Sequence, residues 1–292
     1  MKISIDLIMK KHIFSLMGSA IMVITLALPS CRNSGSDHPR MPIAETDSIY
    51  WSDSLTVADC FASVEIEGQY PHAGQKPLLD SVRSWLGARL NSNVMDIGKP
   101  LFPITPQMLA SGKELATNTG KALLKTADND FKGFAHDSIA IEYEFIYNFN
   151  PVFQTDSVVT YAFTGYGYMG GAHGYTLDEG QTFIASTGER LTFANTFRQE
   201  ASDSIVARIR EALRAQYFNE TDSAEVPLRD LLLVNPDSLP LPQTPPQFQK
   251  DGVAFIYQQY EIAPYAAGIP KCVLPYEELK PMMKPAAARL VP

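Results

Sequence analysis

Few side chains in this sequence have the types and spacing that could do chemistry, and they gather in two places. The run Gly165-Tyr166-Gly167-Tyr168-Met169-Gly170-Gly171-Ala172-His173-Gly174 sets one imidazole in a glycine-rich turn. Histidine changes charge near neutrality, so His173 suits a ligand contact or a general base. The same ring would serve equally to tie down the loop's backbone. Both uses need the positive φ angles and close backbone approach that glycine permits. The second place is Tyr260-Glu261-Ile262-Ala263-Pro264-Tyr265-Ala266-Ala267-Gly268, a small, aromatic, mildly apolar loop after a strand. Such a loop must either pack or bind. Gly170, Gly171, His173, Tyr260, Glu261 and Tyr265 are therefore the candidate ligand-binding residues, expected to line one surface. Glu142 and Glu144 share the polar side of a strand. They could pair as carboxylates acting on a glycan, or they are a solvated strand face.

Several chemistries lack their residues. Gly165 to Gly170 fits G-x-G-x-x-G and follows a strand, but another strand comes next. The phosphate logic needs a helix N-terminus there, so dinucleotide binding is excluded. His38, His72, His136 and His173 have no metal-ligand spacing, and His-Glu-x-x-His is absent. No Gly-x-Ser-x-Gly elbow occurs. No catalytic residue, metal or cofactor is assigned, and the expectation is a protein that is not an enzyme.

The elements that position these residues follow from periodicity. Leu55 to Ile66 reads as a strand broken by Gly68-Gln69-Tyr70-Pro71. Leu78, Leu79, Val82, Trp85, Leu86 and Leu90 repeat at helical spacing and predict a helix over 76–91. A second helix starts at Thr105-Pro106, a capping residue followed by a proline suited to the first turn. It continues through Leu123, with Gly112 and Gly120 each weakening it by about 1 kcal/mol relative to alanine. Ile139, Ile141, Tyr143, Phe145, Tyr147 and Phe149 alternate with polar residues, the pattern of a half-buried antiparallel strand. Val159, Tyr161 and Phe163, and then 181–186, continue the sheet, and 199–217 forms a third helix. Residues 235–246 hold five prolines and read as a surface loop. Strands at 253–260 and 272–274 and a short helix from Tyr276 close the chain. The expected class is α+β, a mainly antiparallel sheet packed with about three helices in two intertwined lobes.

The chain has 292 residues, 45% of them apolar and 19% charged, enough to bury a sizeable core. Its 24 basic and 32 acidic side chains leave a net charge of −8, which excludes a general nucleic-acid binder. Lys10-Lys11 and the uncharged run from Ile13 to Ser30 form an export signal. The true start is Met1 or Met9. Leu28-Pro29-Ser30-Cys31 resembles a bacterial lipobox. That resemblance implies lipid on Cys31, anchoring in the cell envelope and, because Arg32 is not acidic, the outer membrane. Residues 1–31 are then a signal peptide and 32–50 a flexible tether. Cys60 and Cys272 either pair in that oxidising compartment or are buried thiols.

Two segments also resemble a known family. Tyr168 to Gly174, with Ser186 to Phe197 after it, looks like the Gly-Gly-Ala-His segment of the extracytoplasmic domain of lysozyme-responsive anti-sigma factors. Tyr260 to Gly268 through Leu274-Pro275-Tyr276-Glu277-Glu278-Leu279 resembles that domain's C-terminal signature. Tyr70-Pro71-His72-Ala73-Gly74 and the helix to Asn91 resemble the companion domain of peptidoglycan deacetylases. The resemblance implies an N-terminal lobe over 51–135, a C-terminal lobe over 136–292, and a binding module for lysozyme or wall fragments. No sequence remains here for a deacetylase's metal-dependent domain, so catalysis does not carry over. A purely structural envelope lipoprotein is the alternative.

Overall fold

The computed structural model describes residues 44–134, 140–219 and 225–291. The expected signal segment, Cys31, most of the expected tether, His38, His136 and Ile139 lie outside the described residues. In chain order the elements begin with strands β1 (Ala44–Val57) and β2 (Cys60–Gly74) and helix α1 (Lys76–Leu90). The short strands β3 (Ser92–Asn93) and β4 (Asp96–Pro100) follow, then helices α2 (Pro106–Ala110) and α3 (Gly112–Phe134). Next come β5 (Glu142–Gln154), β6 (Val158–Met169) and β7 (Tyr175–Ile184). Helices α4 (Phe193–Thr196) and α5 (Ser202–Ala212) precede β8 (Gln247–Gln249), β9 (Gly252–Ile256) and β10 (Lys271–Leu274).

The class is α+β. Five strands form one sheet in the order β1-β2-β5-β6-β7, antiparallel except where β2 and β5 run parallel. A parallel pair needs a long crossover, and α1, α2 and α3 supply it. β8, β9 and β10 make a second, antiparallel sheet.

The sequence reading is corrected at three elements. The tether gives way to strand at Ala44, and β1 pairs along its length with β2. Gly68 and Pro71 do not break β2. Gly68 lies flat against the Phe149 ring, where a Cβ would clash. Pro71 sits at a register shift, the place a strand tolerates proline. The second helix is two helices: Thr105 caps α2, and extended Ser111 interrupts the chain before α3.

One face of the large sheet buries Ile66, Tyr147, Phe149, Tyr161 and Phe183 under α1 and α3. Gly120 is required there, because the Trp51 ring fills the space a Cβ would take. The Tyr147 hydroxyl donates to Ser92 O at 2.7 Å, while the buried Tyr161 hydroxyl of the same core has no hydrogen-bond partner among the described residues. A second apolar cluster gathers Ile205, Ile209, Phe248, Phe255, Tyr257 and Leu279. The two clusters share strands. Val158 belongs to the second and Val159 to the first, so the start of β6 is buried on both faces. At the other end of the sheet that second face is open to solvent and carries Glu65, Glu142, Glu144, Tyr166 and Tyr168.

Cys60 and Cys272 are not joined by a disulfide. Cys60 is packed in the first cluster and Cys272 in the second, its thiol directed at Ile209 O at 3.9 Å. Among the described residues no helix is long and apolar enough to cross a membrane.

Candidate functional site

The loop between β6 and β7 and the loop after β9 meet at one end of the large sheet. In the first loop Gly170 and Gly171 take φ of 78° and 96°, a region that side-chain-bearing residues rarely adopt. The Tyr168 hydroxyl donates to Gly171 O at 3.1 Å. This turns the chain so that His173 projects outward, its Nδ1 2.9 Å from Gly174 O. Gly174 is held under the Tyr166 ring, with no room for a Cβ.

The second loop is clamped by glutamines and one carboxylate. Gln258 makes two bonds to Asp178 of β7: Asp178 N donates to its Oε1 at 3.1 Å, and its Nε2 donates to Asp178 O at 2.6 Å. Thr176 N donates to Gln259 Oε1 at 2.8 Å. These bonds cover the outer edge of β7 and lock the loop to it. Glu261 is the internal clamp. It accepts Gln258 N at 2.8 Å and Gln243 N at 2.7 Å. Burial pushes its pKa up, and those two backbone bonds oppose the shift. The expectation that Glu261 faces a ligand is therefore corrected: its oxygens are committed to the backbone.

What this scaffold presents is an aromatic cluster. The His173 and Tyr265 rings are stacked, 3.8 Å between centroids at 20°. The Tyr260 hydroxyl lies 3.2 Å from His173 Nε2, and the Tyr260 and Tyr265 rings are 6.0 Å apart. Tyr260 is half exposed and takes a φ of 66°, one of two side-chain-bearing residues with positive φ among those described. Tyr265 is supported from behind. Leu213–Tyr217 is a π-helical turn that swings Tyr217 out of line, and its hydroxyl donates to Ala267 O at 2.6 Å. Gln216, on the same turn, exchanges two bonds with Val273 of β10 at 2.9 Å each.

The structure thus brings together His173, Tyr260 and Tyr265. Gly170 and Gly171 shape the loop and stand outside the ring contacts. Tyr166 and Tyr168, on the open face of β6, continue the aromatic surface; partial burial raises the Tyr166 pKa and the Glu144 carboxylate raises it further. Sequence reasoning missed Gln258, Gln259, Gln216 and Tyr217. Only the Gln-Gln pair at the end of β9 hinted at an edge-strand clamp.

Glu144 and Glu65 border a shallow depression of about 300 Å³ on the open face, with Ser52, Ser54 and Ser63. Partial burial raises the Glu144 pKa, and the neighbouring Glu142 and Glu65 raise it further. Among the described residues no cluster of His, Cys, Asp and Glu could hold a metal ion.

Residues 194–277 match the DUF3298 family model. That family is described as a protein of unknown function. The match begins in α4 and ends in the helix after β10, so it takes in Tyr260, Glu261 and Tyr265 and leaves out His173. The whole fold is similar to solved members of DUF3298. One, from Bacteroides fragilis, is 21% identical with a TM-score of 0.62, covering 85% of this chain and 98% of that one. Another, from Pseudomonas aeruginosa PAO1, is 15% identical with a TM-score of 0.54, covering 88% and 99%. At these identities the likeness is one of fold. No curated protein matches the chain.

Proposed function

We propose that this chain is a lipid-anchored binding module of the bacterial cell envelope, whose His173–Tyr260–Tyr265 cluster recognises a basic protein. The observation that carries the reading is Tyr260. A side-chain-bearing residue at positive φ costs free energy of order 1–3 kcal/mol and persists at sites where the strain serves a purpose. Here it holds a half-exposed ring against His173. Tyrosine and histidine rings beside carboxylates suit arginine and lysine side chains, through the ring faces and through charge. The acidic open face next to the cluster and the net charge of −8 steer a basic partner toward it. Lysozyme is the partner that the resemblance to lysozyme-responsive extracytoplasmic domains suggests, and the anchor rests on the lipobox-like run ending at Cys31.

Calorimetric titration of the protein beginning at residue 32 tests this. Lysozyme is expected to bind at micromolar strength or better, about −8 kcal/mol. Tyr265→Ala and His173→Ala, each confirmed folded by circular dichroism, should weaken binding tenfold or more. Wall muropeptides are the second titrant. Binding to muropeptides alone would redirect the cluster to sugar stacking, and silence toward both would leave a structural lipoprotein.

A further inference from the structure

The second apolar cluster opens to solvent on a side of the molecule formed by other elements. Phe193 and Phe197, on and just after α4, stack with Phe255 at centroid spacings of 6.1 and 6.3 Å. Leu241 from the proline-rich loop and Ile205 from α5 complete an apolar floor beneath a cavity of about 630 Å³. That volume is in the range of small-molecule sites, which are apolar with a few placed polar groups.

The cavity's charged lining is Arg198, Glu200 and Lys284. Two chain segments meet to place them. Phe197 bridges to Met283, Arg198 N donates to Met282 O at 3.0 Å, and Lys284 N donates to Thr196 O at 2.9 Å. The Arg198 guanidinium is engaged, donating to Pro281 O with Glu200 3.8 Å away. The Lys284 ammonium has no ion-pair partner among the described residues. An acidic protein has thus put a net positive charge on the lip of an apolar cavity. A short apolar pocket with one free cation at its mouth complements a molecule with an apolar chain and one anionic end.

We propose that this cavity binds an amphiphilic carboxylate, such as a medium-chain fatty acid. The chain lies on Phe193, Phe197, Leu241 and Ile205, and the carboxylate meets Lys284. The inference is independent of the His173 cluster, which uses none of these residues, so either can fail alone.

Calorimetry of the protein with sodium decanoate below its micellar concentration tests the proposal. One site of micromolar affinity is expected. Decyltrimethylammonium should bind at least tenfold more weakly, because it carries the wrong charge. Acetate, which lacks the chain, should give no heat of binding. Lys284→Ala, an exposed position, should weaken decanoate about tenfold, and Ala194→Trp, which fills the cavity from its exposed rim, should abolish it. Circular dichroism and the thermal midpoint of each variant verify the fold. Absence of decanoate binding, equal binding of the cationic amphiphile, or binding unchanged in a folded Ala194→Trp would overturn the proposal.

Discussion

Tyr260 and Glu261 are neighbours with opposite duties. Glu261 spends both oxygens on backbone N–H groups and so builds the loop, while Tyr260 takes a strained backbone and leaves its ring half exposed. The two roles separate experimentally. Tyr260→Gly relieves the positive φ, so its thermal midpoint should equal or exceed the parent's while partner binding falls. Glu261→Ala removes the clamp and should lower stability by about 1–3 kcal/mol, because two backbone amides, one exposed and one part-buried, lose a carboxylate acceptor. A Tyr260→Gly protein that melts lower and binds normally would make Tyr260 a packing residue. Glu144 gives a pH signature of known sign. Its pKa is raised in the fold, so the folded protein holds that proton more tightly than the unfolded chain does. Its contribution to stability is therefore present below the unfolded value and lost as pH rises through the raised value. Glu144→Gln should melt higher than the parent at pH 8, and the gap should close as pH falls toward 4. The residues that gather in the aromatic cluster stood out in the sequence, because glycines crowding a single histidine and a tyrosine-rich loop are unusual. Their assembly did not, since His173 and Tyr260 meet through the glutamine bridge to β7, which leaves no periodic trace.

At the scale of elements, helices α1 and α5 were the legible part. α1 declares itself by its apolar stripe, and α5 by Ile205 and Ile209, both buried. The edge strand was not legible. In β1, Ile49, Trp51, Leu55 and Val57 alternate toward the first core, but Asp53 interrupts the stripe and the other face is polar. An edge strand with one wet face and charged residues resembles a tether in composition. The hairpin turn was hidden too. It uses Ala58 at a φ of 51° where glycine or asparagine normally announces the bend. Glycines inside α3 mislead in the opposite direction. Helix propensity alone says Gly120→Ala stabilises by about 1 kcal/mol. The Trp51 ring would lie 1.8 Å from the new methyl, with Trp51 pinned between β1 and the helix. Overpacking of that kind costs about 1–3 kcal/mol and outweighs the propensity gain. Gly120→Ala should therefore lower stability in urea unfolding, whereas Gly133→Ala, with open space around it, should leave it unchanged or raise it.

On the scale of the molecule, the decisive fact is that the sequence halves do not own separate cores. β2 finds its partner β5 beyond the crossover helices, so residues 51–135 without β5 leave β2 with an unpaired central edge. β6 then feeds both apolar clusters with adjacent residues, Val158 on one side and Val159 on the other. Losing either cluster strips one face of that strand, and the cost passes directly to the other cluster. One cooperative unfolding transition is expected over 44–291, and the chain carries local probes for each half. Both tryptophans, Trp51 and Trp85, sit in the first cluster, so their fluorescence reports it. Cys272 reports the second. Burial pushes its thiol pKa up to about 12, so the native thiol resists alkylation at pH 8 and reacts once the cluster opens. Fluorescence and mass-mapped alkylation of Cys272 should give the same urea midpoint. A chain ending at residue 135 should show neither a fluorescence transition nor native ellipticity. If Cys272 opened at a lower urea concentration than the tryptophans, the second cluster would be a separate cooperative unit, and the shared strand would couple the halves less tightly than Val158 and Val159 imply.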